Sequence, residues 1–342
     1  MSKLRLIACS LLVFSMLWSC KKDKHYDITG SPDVTFFVNL ESPGNAPVNS
    51  MNFAITNIPA ATGGLETLSG NIGDAIKFPV LATKPVGEDV TISAELDNSL
   101  VATYNDEHGT TYATIPDGVL NTAGLTATMP AGSTRTADSV TIMVNSDNLK
   151  LLTEDSYMVP VKLTSLSKPE AGKITSNTVQ KVAYIVIDVE HRIIKYNAVA
   201  ADAIGSLISP RTGWDVSYNP TPTLSNGSVI DGSNATYARW NVSEVEVNVN
   251  MQEMKDVTGI RLYTTTTASQ IPTAVSVYLS EDGINYKHIG SPLRANLTYA
   301  SSYNYILFYK EVPAQYLRLQ ITYGTSSTSQ NRRLAELDVY SN

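Results

Sequence analysis

Short runs of alternating apolar and polar residues recur along this chain and constrain its fold more than any other feature. Valine, isoleucine, leucine and alanine fill every second position, and turn residues follow each run. A period of two is typical of half-buried β-strands, and turns every eight to twelve residues or so favour sandwiches. No stretch longer than about ten residues keeps an amphipathic helix pattern. We therefore predict an all-β protein, with the clearest strands at 90–96, 140–144, 159–163, 245–249, 275–279, 317–321 and 337–339.

The chain divides into two halves of different character. The run 181–190 is apolar on both faces, which predicts a central strand that closes a first domain. From Tyr196 onward lie 13 of the 18 tyrosines. A chain of 342 residues is long enough for two domains. We predict one β-sandwich over 34–190 and another over 196–342, with the boundary between 191 and 203.

Charge and motifs exclude several classes of protein. The net charge of −7 disfavours nucleic acid, because a phosphate backbone would be repelled. Two cysteines and four histidines are too few for a Cys/His zinc module. The sequence has no Gly-x-Ser-x-Gly, His-Glu-x-x-His or phosphate-loop motif, so we predict no enzymatic activity. We interpret Asp106, Glu107 and His108 as a solvated turn rather than a catalytic trio, and Tyr104 and Tyr112 as packing residues.

The first residues have the pattern of a secretion signal. Lys3 and Arg5 precede an apolar run, 6–18, that is too short to span a bilayer as a stable helix. The run ends in Leu-Trp-Ser-Cys, which resembles the lipobox of bacterial lipoproteins. This resemblance implies a signal peptide over 1–19 and an acylated Cys20 at the mature N-terminus.

The rest of the chain supports a lipid anchor, because no cysteine follows Cys20. The alternative is an ordinary signal peptide that happens to contain a cysteine. Residues 20–33 are polar, which predicts a flexible tether. Removal of the leader would change the net charge from −7 to −9. The resemblance implies anchoring at the outer membrane, on the cell surface, with the periplasmic face as the alternative.

The first half resembles the Ig-like N-terminal domain of many Bacteroidetes surface lipoproteins, a family known as domain of unknown function 1735. The segments that carry the resemblance are 89–97, 99–105, 109–112 and 156–161. The resemblance implies an Ig-like β-sandwich over 34–190 and no chemistry.

The second half, 196–342, resembles the coagulation factor V/VIII type C domain, the discoidin jelly roll, whose bacterial members include family 32 carbohydrate-binding modules. Each motif alone is weak, but together they follow the order and spacing of that family. The motifs are Gly-Trp-Asp-Val at 213–216, Val-Ile-Asp-Gly-Ser-Asn-Ala-Thr at 229–236 followed by Trp240, Tyr-Leu-Ser-Glu-Asp-Gly-Ile-Asn-Tyr at 278–286, Gln-Tyr-Leu-Arg-Leu at 315–319 and Leu-Ala-Glu-Leu at 334–337. The resemblance implies a jelly-roll β-sandwich.

The resemblance also implies a structural calcium site. Calcium prefers six to eight hard oxygen ligands, and a tight turn can aim several carbonyls at one point. Asp231 and Glu336 would supply carboxylates and Thr236 a hydroxyl and a carbonyl. The implied main-chain carbonyl ligands are Ser228, Ser233 and Ala335. The alternative is a bare turn that hydrogen bonds stabilise.

Jelly-roll domains of this family bind ligands on loops at one end of the sandwich, which here correspond to 218–223, 237–241, 264–270 and 323–333. The implied ligand contacts are Tyr218, Tyr237, Arg239, Trp240, Asn241, Gln270, Tyr323, Gln330 and Arg332. We interpret Trp240 as half-buried scaffold rather than a stacking platform, and a solvated charge is the alternative for Arg332. Residues 264–270 lack the arginine and asparagine that galactose-binding relatives have there, so the glycan stays unnamed.

Two functions agree with these features. The first is a non-catalytic, glycan-binding lipoprotein that captures polysaccharide or host glycan at the outer membrane, with polysaccharide-uptake machinery as a partner. The second is a structural or adhesive lipoprotein whose C-terminal domain binds a protein. Exposed aromatic rings on one loop rim would favour the first, because sugars stack their C–H faces on rings.

Overall fold

The structure is a computed structural model that describes residues 33–40, 49–264, 271–300, 303–324 and 332–342. Both halves consist mainly of β-strands, so the all-β prediction is confirmed. Cys20 and the tether lie outside the described residues, and their roles stay predictions. No helix in the described part of the chain is long and apolar enough to cross a membrane.

The N-terminal half is an Ig-like β-sandwich. Its largest sheet has the order β3-β2-β13-β11-β6-β9, with β7 added along β11, and two three-stranded sheets have the orders β12-β1-β5 and β4-β10-β8. The strands are β1 Thr35–Phe37, β2 Ser50–Pro59, β3 Leu65–Gly70, β4 Ala75–Phe78, β5 Leu81–Ala82, β6 Val90–Leu96, β7 Ala113–Thr114, β8 Leu120–Asn121, β9 Thr126–Met129, β10 Val140–Val144, β11 Ser156–Leu166, β12 Lys173–Ile174 and β13 Val182–His191. The α-helices are α1 Ser99–His108 and α2 Thr178–Lys181, and 3₁₀ turns span Ser146–Leu151 and Pro169–Ala171.

Strand β13 lies in the middle of the large sheet, as its sequence predicts. It pairs in parallel with β2 on one side and antiparallel with β11 on the other. Ile185 and Ile187 point into the main core, whereas Val186 packs on the opposite face with Val101 and Met158. Because Val101 belongs to α1, this helix covers the outer face, which explains why the strand is apolar on both sides.

The interpretation of Asp106, Glu107 and His108 as a turn is wrong, because they form the last turn of α1. The helix ends at Gly109, whose φ of +64° suits glycine. The Tyr104 ring stacks on His108 with centroids 4.0 Å apart. Tyr104 and Tyr112 also pack around the small cluster over β13, so their interpretation as packing residues is confirmed.

The C-terminal half is a jelly-roll β-sandwich in two sheets. The main sheet has the order β14-β24-β18-β22-β19-β20, with β15 along β18 and β21 along β22, and the small sheet is β16-β17-β23. The strands are β14 Ser206–Leu207, β15 Asp215–Asn219, β16 Leu224–Ser225, β17 Ala238–Trp240, β18 Glu244–Tyr263, β19 Pro272–Ser280, β20 Lys287–Gly290, β21 Tyr299–Ala300, β22 Tyr303–Tyr323, β23 Arg332–Leu334 and β24 Glu336–Ser341. Short 3₁₀ turns span Ala200–Asp202 and Arg294–Asn296.

Two long strands form the framework of this half. β18 and β22 pair along most of their length, and their register shifts between Asn250 and Lys255. Before the shift β18 also pairs with β15, and after it β18 also pairs with β24. A register irregularity of this kind bends a strand. Val247 and Leu319 before the shift and Leu262 after it are all buried in the core of this half.

Only a few residues separate the core of the first half from that of the second. The first core extends to Val189, and the second begins with Ile194, which forms a β-bridge with Phe308. The Arg192 guanidinium lies 3.9 Å from the centre of the Tyr196 ring. Ile194 therefore belongs to the second core, two residues before the predicted start of that domain.

Candidate functional site

Most of the predicted ligand residues that the structure describes lie on the small sheet β16-β17-β23 or directly beside β17. Trp240 on its inner face is 1% exposed, and its Nε1 donates to the carbonyl of Pro220 at 2.9 Å. The Tyr218 ring meets the Trp240 ring nearly edge-on, with centroids 5.6 Å apart. The scaffold role of Trp240 is therefore confirmed, although the ring is buried rather than half-buried, and Tyr218 packs against it.

Two predicted sugar contacts are wrong, because their side chains are used inside the domain. Tyr323 is 1% exposed, and its hydroxyl donates to the carbonyl of Arg333 at 3.3 Å. Arg332 is 7% exposed, and its guanidinium donates to the carbonyls of Asn241 at 3.0 Å and Gly324 at 3.1 Å. Arg332 is therefore neither a sugar donor nor a solvated charge. Its guanidinium thereby connects Asn241, which follows β17, to Gly324, which follows β22.

The outer face of the small sheet is different. Residues 237–241 were predicted as a loop, but their centre is strand β17, whose side chains alternate between faces. Ala238 and Trp240 are buried, whereas Tyr237 and Arg239 are partly exposed on the other side. Arg333 stands on the same outer face, and its guanidinium carbon lies 4.3 Å from the centre of the Tyr237 ring.

The remaining predicted ligand residues fall in two groups. Asn241 is exposed immediately after β17, beside the outer face. Gln270 and Gln330 lie outside the described residues, so their role as ligand contacts stays a prediction. The sequence reasoning missed Arg333, because its place opposite Arg239 depends on the pairing of β17 with β23 across about ninety residues of chain.

The predicted cation-binding residues do come together. Asp231 accepts hydrogen bonds from the backbone N–H of Ser233 at 2.9 Å and from the Thr236 hydroxyl at 2.9 Å. The N–H of Gly232 donates to Glu336 Oε1 at 3.1 Å, which connects this loop to β24. A Cβ at Gly227 would lie 2.5 Å from Thr236 Cβ and 2.7 Å from Asp231 Oδ2, so only glycine allows this close approach. Ser228 donates its N–H to Asp231 at 3.2 Å, and Ala335 directly precedes Glu336.

Glu336 sits in a buried charge network. Its side chain is 2% exposed, and its Oε1 lies 2.5 Å from Arg211 Nη1. Arg211 also lies 3.1 Å from Asp338, which pairs with Arg261 at 2.6 Å. Burial raises the pKa of Glu336 to about 7, against the opposing effect of Arg211. The sequence reasoning missed Arg211, which precedes the first motif of the resemblance.

The donor set fits calcium. Glu336 Oε2 is buried and has no hydrogen-bond partner in the described part of the chain. The N–H of Gly232 reaches the other oxygen of Glu336, so the 228–236 turn lies beside this carboxylate. That turn carries the Asp231 carboxylate, the Thr236 hydroxyl and the Ser233 carbonyl, which are hard oxygens of the kind that calcium prefers. No three carboxylate, imidazole or thiol groups converge among the described residues, so main-chain and hydroxyl oxygens would supply much of the shell. Hydrogen bonds also close this turn without a cation, and calcium binding stays a prediction.

The fold and this site define a class: an all-β chain of two sandwich units, of which the second is a jelly roll. Residues 214–334 match the family model of the F5/8 type C domain. Residues 47–170 match a family model described as an N-terminal domain. The chain therefore carries an F5/8 type C domain in its second half, as the sequence resemblance implied.

Solved structures agree with this architecture. A two-domain protein of unknown function from Bacteroides fragilis is 15% identical, covers 90% of this chain and 94% of its own, and has a TM-score of 0.51. The C-terminal domain of a chitobiase from Bacteroides fragilis is 24% identical over 40% of this chain and 98% of its own, with a TM-score of 0.33. The family 32 carbohydrate-binding module of Clostridium perfringens NanJ, in complex with galactose, is 18% identical over 40% of this chain and 99% of its own, with a TM-score of 0.32. The comparison with curated proteins finds no match. The first of these structures shows that the fold of this chain, with both units, occurs elsewhere.

Proposed function

We propose that this protein is a non-catalytic glycan-binding lipoprotein whose C-terminal unit captures carbohydrate. The observation that carries the proposal is the match of residues 214–334 to the F5/8 type C domain, a family with carbohydrate-binding members. The family name of the Clostridium module describes carbohydrate binding, and galactose is the sugar in that structure. Galactose is therefore one of the first sugars to test on this chain.

The glycan surface that we propose is the outer face of the small sheet. Tyr237 offers a partly exposed ring there, and Arg239 and Asn241 offer hydrogen-bond donors beside it. Sugars pack their C–H faces on such rings and bond their hydroxyls to neighbouring polar groups. One ring and a few hydrogen bonds correspond to a weak affinity, with a Kd of order 0.1–1 mM or about −4 to −5.5 kcal/mol.

A glycan array tests this proposal directly. The probe is the chain from residue 28 to 342, which lacks the leader and most of the tether. We expect binding to at least one glycan class, and Tyr237→Ala should weaken it at least tenfold. Tyr286→Ala is the matched control, because the Arg318 guanidinium carbon lies 3.8 Å from the centre of the Tyr286 ring. Tyr286 directly precedes β20 of the main sheet, away from the small sheet. Binding to no glycan at millimolar concentration would favour the adhesive alternative.

The lipid anchor is the second part of the proposal. Lys3, Arg5, the apolar core and the lipobox-like end at Cys20 support it. An acyl chain on Cys20 would hold the glycan-binding unit at the outer membrane through the tether. Cys20→Ala should release the protein from isolated membranes, measured by fractionation after an alkaline wash. Retention of this variant in washed membranes would contradict the anchor.

The third part is a structural calcium ion. Asp231, Thr236 and Glu336 would bind it with side-chain oxygens, and Ser228, Ser233 and Ala335 with carbonyls. The ion would stabilise the contact between the 228–236 loop and β24, because it would supply a partner for the buried oxygen of Glu336.

A further inference from the structure

Two arginines lie directly opposite each other on the outer face of the small sheet. Arg239 of β17 and Arg333 of β23 are register partners in an antiparallel pair. Side chains in such a pair stand on the same face, with Cβ atoms about 4.5–5.5 Å apart. A single anion at this position would accept hydrogen bonds from both guanidinium groups.

Three other arginines of this unit have a carboxylate as counter-charge. Arg211, Arg261 and Arg318 each have a carboxylate within 4 Å. Within the described ranges, no carboxylate forms an ion pair with Arg333, and its Nε is buried without a hydrogen-bond partner. The whole chain carries a net charge of −7. The two arginines on this face therefore differ in sign from the charge of the protein as a whole.

Tyr237 and Leu224 complete the surface. The Arg333 guanidinium stacks on the Tyr237 ring, and a stacked guanidinium keeps its N–H edge available for hydrogen bonds. Leu224 on β16 is the register partner of Arg239, and it is 40% exposed. It adds an apolar side chain at the edge of this face. Two planar donors, one ring and one apolar side chain thus share a single face.

We propose that this face selects acidic glycans, with the arginine pair binding an oxyanion carried on a sugar ring. The proposal rests on the proposed function and names its ligand class. Guanidinium groups bind carboxylates and sulfates through paired N–H···O contacts, which neutral hydroxyls do not match in strength. The sugar ring lies beside Tyr237 and Leu224, while its carboxylate or sulfate lies between Arg239 and Arg333.

The proposal predicts a response to salt that neutral sugar binding does not have. Exposed charges interact over a Debye length of about 10 Å at 0.1 M salt and about 3 Å at 1 M. Binding of an acidic polymer should therefore weaken as salt rises. Binding of a neutral polymer should change little over the same range.

The experiment uses the chain 28–342 and four probes, namely polygalacturonate, chondroitin sulfate, neutral galactan and inorganic sulfate, measured by calorimetric titration. We expect at least one acidic polymer to bind tenfold or more tightly than galactan. Arg333→Gln and Arg239→Gln should each weaken that binding at least tenfold. Arg318→Gln is the matched control, because it removes an arginine that also stacks on a tyrosine but pairs with Glu246. Arg333→Lys should recover part of the affinity, and melting temperatures confirm that each variant folds.

The outcomes separate this inference from the proposed function. Equal binding of acidic and neutral polymers would overturn the acidic selectivity and leave glycan binding intact. Acidic binding that both glutamine variants retain would overturn the arginine site. Inorganic sulfate bound as tightly as the polymers would show an anion site that does not recognise sugar. No binding to any polymer would contradict the proposed function itself.

Discussion

The two units of this chain share a sandwich architecture but differ in the polar groups that they bury. In the described part of the N-terminal unit, the buried polar side chains are neutral, such as Asn49 and Asn57. In the C-terminal unit they include the charged residues Arg332, Glu336 and Asp338. A buried amide needs hydrogen bonds alone, whereas a buried charge costs far more to desolvate. Glu336 and Asp338 pair with arginines, and Arg332 donates to two backbone carbonyls.

This difference indicates which unit changes its stability with pH and with bound ions. Asn57 donates to the carbonyls of Leu149 and Leu152 at 3.1 Å each, and neither protons nor cations compete for these bonds. Glu336 depends on Arg211 and leaves one oxygen without a partner. We therefore expect the N-terminal unit to behave as an insensitive scaffold, and the C-terminal unit to respond to pH, cations and anionic ligands.

Arg211→Met should produce the largest effect. It leaves Glu336 without its cation and removes one of two cations from Asp338, and breaking a buried pair destabilises by about 3–5 kcal/mol. Hydrogen exchange, read strand by strand, should show faster opening of β18, β22 and β24 but not of β13. The control is Arg318→Met, whose pair with Glu246 is partly exposed and contributes about 1 kcal/mol or less. Equal effects of the two variants would contradict the buried charge network.

Calcium should give the next largest effect. A ligand that binds the native state at a hundredfold excess over its Kd stabilises it by about 2.7 kcal/mol. A chelator should therefore speed exchange in the C-terminal strands and leave the N-terminal strands unchanged. Asp231→Ala should abolish this response. If the chelator changes nothing and Asp231→Ala melts like the wild type, the calcium site does not exist.

Asn57→Ala tests the role of a buried neutral amide in the N-terminal unit. The variant removes the side-chain donor from the carbonyls of Leu149 and Leu152 and the acceptor from the Thr67 hydroxyl, although the Leu149 carbonyl keeps the N–H of Leu152. These losses should destabilise by about 2 kcal/mol. Denaturant unfolding and hydrogen exchange should place this loss in the N-terminal unit. The loss should be the same at every calcium concentration, and a calcium-dependent loss would contradict the division between the units.

The sequence predicted those parts of the fold that depend on local pattern. The alternation at 90–96 became β6, and the doubly apolar run became β13. Helix α1 was missed because it covers only the small cluster of Val101, Met158 and Val186, so its sequence has no broad apolar stripe. A helix whose partner is a narrow patch on a sheet carries a weak periodic signal.

The candidate site was predicted less well, because burial depends on which distant strands pair. Tyr323 and Arg332 flank a loop in sequence, and such residues are expected at a surface. In the structure both are buried, Arg332 on β23 and Tyr323 at the end of β22, and their polar ends donate to nearby backbone carbonyls. The placement of 228–236 beside Glu336 was easier to predict, because 228–236 is a local motif and Glu336 begins β24. Calcium binding by these residues stays a prediction.

The pH dependence should be the smallest effect. The pKa of Glu336 is raised from 4.5 to about 7 in the folded state, so the folded state binds this proton more readily than the unfolded state. Stability therefore rises as pH falls from 7.5 to 5.5 in the presence of a chelator, by about 1–2 kcal/mol. Glu336→Gln should flatten this dependence. A C-terminal unit that loses stability over this interval would contradict the assignment.

The most direct test of glycan capture by the C-terminal unit is hydrogen exchange with and without a saturating glycan, chosen from the array. We expect slower exchange in peptides that cover β16, β17 and β23, because a ligand on their outer face restrains these strands. We expect no change in peptides from 49–190. Protection confined to the N-terminal strands, or protection of the C-terminal unit that survives Tyr237→Ala, would contradict glycan capture at this face.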